Sequence, residues 1–222
     1  MASTYLSWSN GTGLDAIVAG GYTELSEFQM LVTARTNIIA PQNTVRYVGR
    51  SAEQLKITRV TANATTDTAN GWRAVELSSG IFMTIDTLMS NYGMRIQSGT
   101  GGHNAYDIAI SNCQLTNLNL TCSALELHGS GFNIQGGIIF SINSTAAILL
   151  QEGSMTVNTV DFAWTGVNST TGYDIIVGGG TGYDTATATI IGCAFPSRSI
   201  SFAANGNVLV NSNGVGGGWF SN

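Results

Sequence analysis

Charge is scarce in this chain. Of 222 residues only 9% are Asp, Glu, Lys or Arg, against roughly a quarter in an ordinary soluble domain. Eight basic residues face 13 acidic ones, for a formal net charge of −5. No basic patch or arm is present to neutralise phosphates, so nucleic acid is not an expected partner. Proline is also sparse, two residues beside 28 glycines, which sets the chain apart from Pro-rich disordered linkers. No apolar run approaches the ~20 residues of a membrane span. The opening MASTYLSWSNG lacks the basic start and apolar core of a signal peptide, and membrane insertion is not expected. Three cysteines, Cys113, Cys122 and Cys193, are an odd number without metal-ligand spacing. They read as small core residues rather than a disulfide framework. His103 and His128 are the only histidines; neither has an acidic residue at a suggestive spacing, and both read as surface or loop residues. There is no Walker loop, GxSxG or HExxH. GGGTGYD (178–184) is Gly-rich, but no helix follows to complete a phosphate site. Neither a metal nor a cofactor is expected.

What is present is a recurring word. VNTVDF (157–162), ISNCQL (110–115), IQGGII (134–139), IIGCAF (190–195) and VNSNGV (210–215) each place four mostly small or polar residues between two apolar ones. Short alternating segments recur as well: VRY (45–47), VEL (75–77), RIQ (95–97), LEL (125–127), ILL (148–150), IIV (175–177) and ISF (200–202). Gly- or Ser-rich turns such as SSG, GSG, EGS, GGG and ANG follow several of them. Copies begin about 20 to 30 residues apart, within the range of solenoid repeats. One rung cannot bury its apolar residues alone, whereas stacked rungs share a continuous core. Counterparts on adjacent rungs then lie ~4.8 Å apart and need share only inward size and polarity, which explains the low identity between copies. The four middle residues of the word are expected to turn a tight corner. A β-sandwich would show frequent hairpin signals, but Asn-Gly occurs only at 10, 70, 205 and 213.

The expected architecture is all-β, a parallel β-helix (solenoid) of about seven rungs over residues 43–222. Residues 1–42 lack the repeat and are expected to form an N-terminal cap or attachment segment. Within them TELSEFQMLVTAR (23–35) reads as a short amphipathic helix capped at Thr23. Trp219 and Phe220, after a glycine run, are expected to fold over the last rung or to contact a neighbouring chain.

Aligning the seven short segments by their inward residues places Arg46, Glu76, Arg95, Glu126, Leu149, Ile176 and Ser201 in one outward column. Alternating charges on successive rungs contribute about 0.2 to 1 kcal/mol per pair and fix register. A sharper reading makes Glu76 and Glu126 a catalytic pair with Arg95 between them. Two rungs separate the carboxylates by about 10 Å, which flexible side chains can close to the ~6.5 to 9.5 Å of an inverting glycosidase. Arg95 would bind a substrate carboxylate or lower both carboxyl pKa values, and lowering opposes general-acid action. Leu149 and Ile176 follow the charges in the same column, where a subunit interface is the natural use of apolar side chains. The longest inserts carry Trp72, Trp164, Tyr173 and Tyr183. Loops on a rigid scaffold concentrate binding residues, so these rings are candidates for stacking on sugars; the alternative is that each packs on its own loop.

The combination of an alternating strand, a Gly turn and a word such as ISNCQL or IIGCAF resembles right-handed parallel β-helices of the pectin-lyase-like kind. The low-charge style rich in Gly, Ser, Asn and Thr is similar to viral tailspikes and tail-fibre spikes. The resemblance covers roughly residues 43–222. It implies a right-handed coil and, on the tailspike branch, a homotrimer on the virion surface beside other virion proteins, binding a cell-surface polysaccharide. The Asp-rich calcium cluster and basic Arg of pectate lyases match no position here. The expectation is a non-enzymatic structural and receptor-binding spike or fibre protein of a virus, with a phage as the expected source. The alternative is a glycan depolymerase, glycosidase or lyase, on the same fold. A third reading, an adhesin or ice-binding solenoid, is opposed by the isolation of TATAT (185–189).

Overall fold

A computed structural model of the chain describes residues 14–15, 23–26, 29–32, 45–48, 55–58, 61–64, 75–78, 80–90, 93–97, 105–117, 123–141, 146–162, 173–179, 182–195, 200–211 and 220–221, with side chains described only within 82–210. The described residues are strands and turns without a helix. Every pairing is parallel. The chain is the expected all-β parallel solenoid.

Each turn supplies up to three strand segments. The strand Leu125–Gln135 passes through glycines 129 and 131 in positive-φ backbone, so its two halves join two different ladders, and Ile138–Ser141 joins a third. The first ladder links Leu14–Asp15, Val45–Val48, Val75–Ser78, Met94–Gln97, Leu125–Gln135, Ala146–Asn158, Tyr173–Val177, Ile200–Phe202 and Phe220–Ser221. The second links Thr23–Ser26, Leu55–Thr58, Thr84–Asp86, Ala105–Ser111, the later halves of Leu125–Gln135 and Ala146–Asn158, Ala186–Ile191 and Gly206–Asn211. The third links Gln29–Val32, Thr61–Ala64, Met89–Ser90, Gln114–Asn117 and Ile138–Ser141, continued by bridges to Asp161 and Ala194.

Inward columns hold the stack together. Ile85, Ile110, Ile134, Val157 and Ile190 occupy successive levels of the second ladder, each at most 1% exposed. Met94, Leu125, Ile148, Ile175 and Ile200 do the same in the first. Branched side chains suit a pleated, buried surface, and each full burial is worth about 1.5 to 3 kcal/mol. Phe162 stacks on Phe195 at 5.0 Å at the side of the third ladder.

The recurring word is the passage from the second ladder to the third. Its third residue, Thr87, Asn112, Gly136, Thr159 or Gly192, is left-handed, with φ of 56°, 51°, 62°, 52° and 58°. Its fourth residue then turns inward, and Leu88, Cys113, Val160 and Cys193 are buried. The corner is therefore tighter than expected: one left-handed residue makes it, and the four middle positions are not all surface. IDTLMS (85–90) is a further copy that its bulky Leu88 and Met89 hide. Cys113 and Cys193 are free and buried, as expected. Burial pushes the Cys113 thiol up to about 12, which makes it a packing residue rather than a nucleophile.

Three expectations are corrected. Among the described residues the coil completes about four turns rather than seven. All seven short segments lie on the first ladder, but strand levels reveal nothing of the corners needed to complete a turn, and several of these fall outside the described residues. Thr23–Ser26 and Gln29–Val32 are strands, not a helix, and no cap is shown among the described residues. Leu25 shares register with Ile57 and thence Ile85, and ladder pairing overrides a weak helical preference. Phe220 takes a strand position opposite Ile200, extending the ladder; Trp219 lies outside the described residues.

Thr159 is β-branched, exposed and left-handed at φ 52°, a conformation costing roughly 1 to 2 kcal/mol. Asn occupies the same corner position at 112. Thr159→Asn should raise the unfolding free energy by about 1 kcal/mol in denaturant titrations, and a fall would contradict the left-handed corner.

Candidate functional site

The charged column is in the register that the sequence alignment anticipates. Arg46 lies opposite Glu76, Glu76 opposite Arg95, and Arg95 opposite Glu126; Leu149, Ile176 and Ser201 follow. Asp15 opposite Arg46 extends the alternation by one level, a continuation that the two-residue segment Leu14–Asp15 is too short to announce. Arg95 and Glu126 are half-buried, and Glu126 accepts a hydrogen bond from the Ser123 N–H at 3.1 Å. The side chains of Arg46 and Glu76 lie outside the described residues. Leu149 is half-buried between the fully buried Ile148 and Leu150, and Ile176 beside it is half-buried too. The pairing brings Glu76, Arg95 and Glu126 onto consecutive levels.

Of the aromatic candidates, Trp72 and Trp164 lie outside the described residues. Tyr173 is half-buried at the start of Tyr173–Val177, opposite Ala146. Tyr183 is exposed on the corner that leads into Ala186–Ile191, and around it lies a polar cluster.

A β-bulge builds that cluster. Leu127 pairs with Leu150 and Gly129 with Gly153, so His128 faces two residues, Gln151 and Glu152. Bulges re-aim side chains, and here Glu152 Oε1 meets His128 Nε2 at 2.6 Å, both side chains about a quarter exposed. The backbones approach so closely that a Cβ on Gly153 would overlap the Gly129 carbonyl oxygen, so glycine is required. Glu152 Oε2 accepts the Asp184 N–H at 3.1 Å. Asn205 Nδ2 donates to the Asp184 carbonyl at 2.7 Å and to the Gln151 carbonyl at 3.4 Å. The Tyr183 ring meets His128 edge to face, 5.9 Å between centroids at 79°. On another side it lies against Gly179, where an added Cβ would come within 2.4 Å of the ring. The ring is thus held in place while 37% of the residue stays exposed.

His128 is accordingly a strand residue paired to a carboxylate, not an isolated surface or loop histidine. Sequence reasoning missed the pair because its partner lies one solenoid turn away and is offset by the bulge; the Gly residues at 129 and 153 are the only local trace. His103 lies outside the described residues. Burial alone would raise the Glu152 pKa. The Asp184 N–H, the His128 hydrogen bond and the His128 charge outweigh it and hold the carboxyl below its ordinary 4.5. Among the described residues no group of three or more His, Cys, Asp or Glu is placed to hold a metal. The arrangement offers a fixed aromatic face flanked by carboxylate acceptors, which suits a ligand with both apolar and hydroxylated surfaces. Comparison with protein-family models, curated proteins and solved structures finds no match.

A carboxyl with a depressed folded-state pKa stabilises the fold above its ordinary value, and that contribution is lost as pH falls through the folded value. Unfolding free energy measured from neutral pH downward should therefore decline below about pH 4.5, and Glu152→Gln should flatten that limb. An identical acid limb in the variant would show that the His128–Glu152 contact contributes nothing.

Proposed function

We propose that this protein is a structural and receptor-binding spike or fibre protein of a virus, a phage by expectation, that touches a cell-surface polysaccharide through the corner at Tyr183. The observation that carries the reading is the ring itself, exposed on a rigid stack yet held by Gly179 and His128. Such a ring offers a face to the C–H side of a sugar, while the Glu152 and Asp184 carboxylates accept hydrogen bonds from hydroxyls. Preorganisation limits the entropy lost on binding. The low charge and polar Ser, Thr and Asn surface support the tailspike-like reading, with a right-handed coil and a virion location beside other virion proteins.

Assembly as a homotrimer is part of the same proposal. Leu149 and Ile176 are half-exposed neighbours in a column whose earlier positions carry charge. Closed symmetry would let each chain cover them with an equivalent surface. A second reading, a depolymerase acting through Glu76 and Glu126, draws on their shared column. Arg95 stands on the level between them, a placement that suits a column of alternating charge better than a carboxylate pair.

Binding to a panel of immobilised bacterial polysaccharides tests the first part. Tyr183→Ala should weaken the bound glycan about tenfold, as for loss of one stacking contact. Gly179→Ala should do the same by displacing the ring while leaving its chemistry intact. Affinity unchanged in both variants would reject the Tyr183 site.

Native mass measurement tests the assembly. The wild type should weigh three chains, and Leu149→Asp, which would put a carboxylate in a dry interface at a cost of several kcal/mol, should dissociate. A monomeric wild type would rule the trimer out, and a trimer indifferent to Leu149→Asp would move the interface to another face.

A further inference from the structure

We propose that Phe82, Tyr106 and Asp107 form a second ligand contact on the solenoid edge that carries Tyr183, and that this edge takes an amine-bearing sugar polymer in preference to an acidic one. The proposal rests on the glycan-binding reading and adds a site and a charge class to it.

Phe82 combines two unfavourable choices at one position. It is 58% exposed, and its backbone is left-handed at φ 54°, which is a genuine outlier for a bulky residue. The same corner on the next two levels holds Asp107 and Gly131, residue types that accept this backbone more readily. Neither core packing nor turn geometry calls for phenylalanine there. Its ring meets Tyr106 at 5.9 Å between centroids and 77° between planes, so two aromatic surfaces stand nearly perpendicular. Asp107 is exposed beside them, its carboxylate lying over Gly131 on the level above. Rings set at an angle with a carboxylate nearby are the chemistry that recognises an ammonium group.

The edge continues upward with the same character. From Phe82 it passes Tyr106 and Asp107, then the His128–Glu152 pair, and reaches Tyr183 and Asp184. Phe82 and Tyr183 are four levels apart, about 19 Å along the axis at the inter-strand spacing, a span suited to several units of a linear polymer. Arg95 is the only Lys or Arg between residues 80 and 195, and it sits in the first ladder rather than on this edge. Asp107, Glu152 and Asp184 therefore bias the edge against uronate, sialate or phosphate groups, and His128 is already engaged with Glu152.

Calorimetric titration of the full chain with three oligosaccharide classes tests the proposal at low ionic strength and mildly acidic pH. The probes are glucosamine oligomers, N-acetylglucosamine oligomers and galacturonate oligomers. The glucosamine oligomers should bind tightest, the galacturonate oligomers should not bind, and added salt should weaken the first. Phe82→Asn and Asp107→Asn should each weaken glucosamine-oligomer binding several-fold to tenfold. Phe82→Asn should leave thermal stability equal or higher, which a structural role for the ring would not allow. Galacturonate bound as well as glucosamine, or affinity indifferent to Phe82→Asn, overturns the proposal. Sugar binding that depends on Tyr183 but not on Phe82 leaves the glycan reading standing and removes this one. Failure to bind any of the three classes, with no hit on the polysaccharide panel, removes both.

Discussion

Register between rungs is the constraint on which the rest of this structure depends. Parallel backbone hydrogen bonds hold adjacent levels together, but a ladder alone does not say which residue sits above which. Side-chain columns do. Ile85, Ile110, Ile134, Val157 and Ile190 lie one above another in the core, and a slip of one residue would carry a whole column to the surface. Arg46, Glu76, Arg95 and Glu126 lie in the same register on successive levels of the first ladder, and a slip of one residue would break the alternation of sign. Few charges are present, and five of them, Asp15 included, lie in one column.

Corners are the second constraint, and they are where the fold and the proposed function meet. The passage from the second ladder to the third needs one left-handed residue per turn. Asn112, Gly136 and Gly192 supply it at little cost, while Thr87 and Thr159 do so under strain. The corner between the first two ladders has the same requirement, met by Asp107 and Gly131 but also by Phe82. A corner lies between core columns, so the 182–185 segment and the bulge at Gly129 and Gly153 are accommodated there without shifting an inward residue. Tyr183, His128 and Glu152 exist as a cluster because the corner tolerates that irregularity while the columns on either side do not move.

The outward surface follows from the same division. Asp86 at the corner between the second and third ladders accepts hydrogen bonds from Ser111 and Asn112, and Glu126 stays in the charged column, whereas Phe82, Tyr106, Asp107, Glu152, Tyr183 and Asp184 gather on one edge. Such an edge is rigid on the scale of a sugar ring, since every residue on it is anchored to a neighbour one strand spacing away. The two described cysteines are accounted for by packing: Cys113 and Cys193 fill the turn inward from the corner, and burial keeps the Cys113 thiol protonated.

The amino-acid sequence by itself determined the parallel solenoid, the placement of the seven short segments in one ladder and the order of the outward column from Arg46 to Ser201. It could do so because each stacked rung repeats a short alternating segment with an inward apolar residue, and that pattern is written directly in VEL, RIQ, LEL and ILL even though the interval between copies varies. It also marked Cys113 and Cys193 as core. Tertiary structure decided what local spacing does not encode. Residues 23–32 satisfy a helical pattern and a strand pattern alike, and only the neighbouring strands at Leu55–Thr58 and Thr61–Ala64 select the second. The number of turns that the described residues complete, about four, depends on corners rather than on strand words. The His128–Glu152 pair arises from a one-residue bulge across a full solenoid turn, and a bulge is a relation between two strands, so neither strand's sequence states it alone.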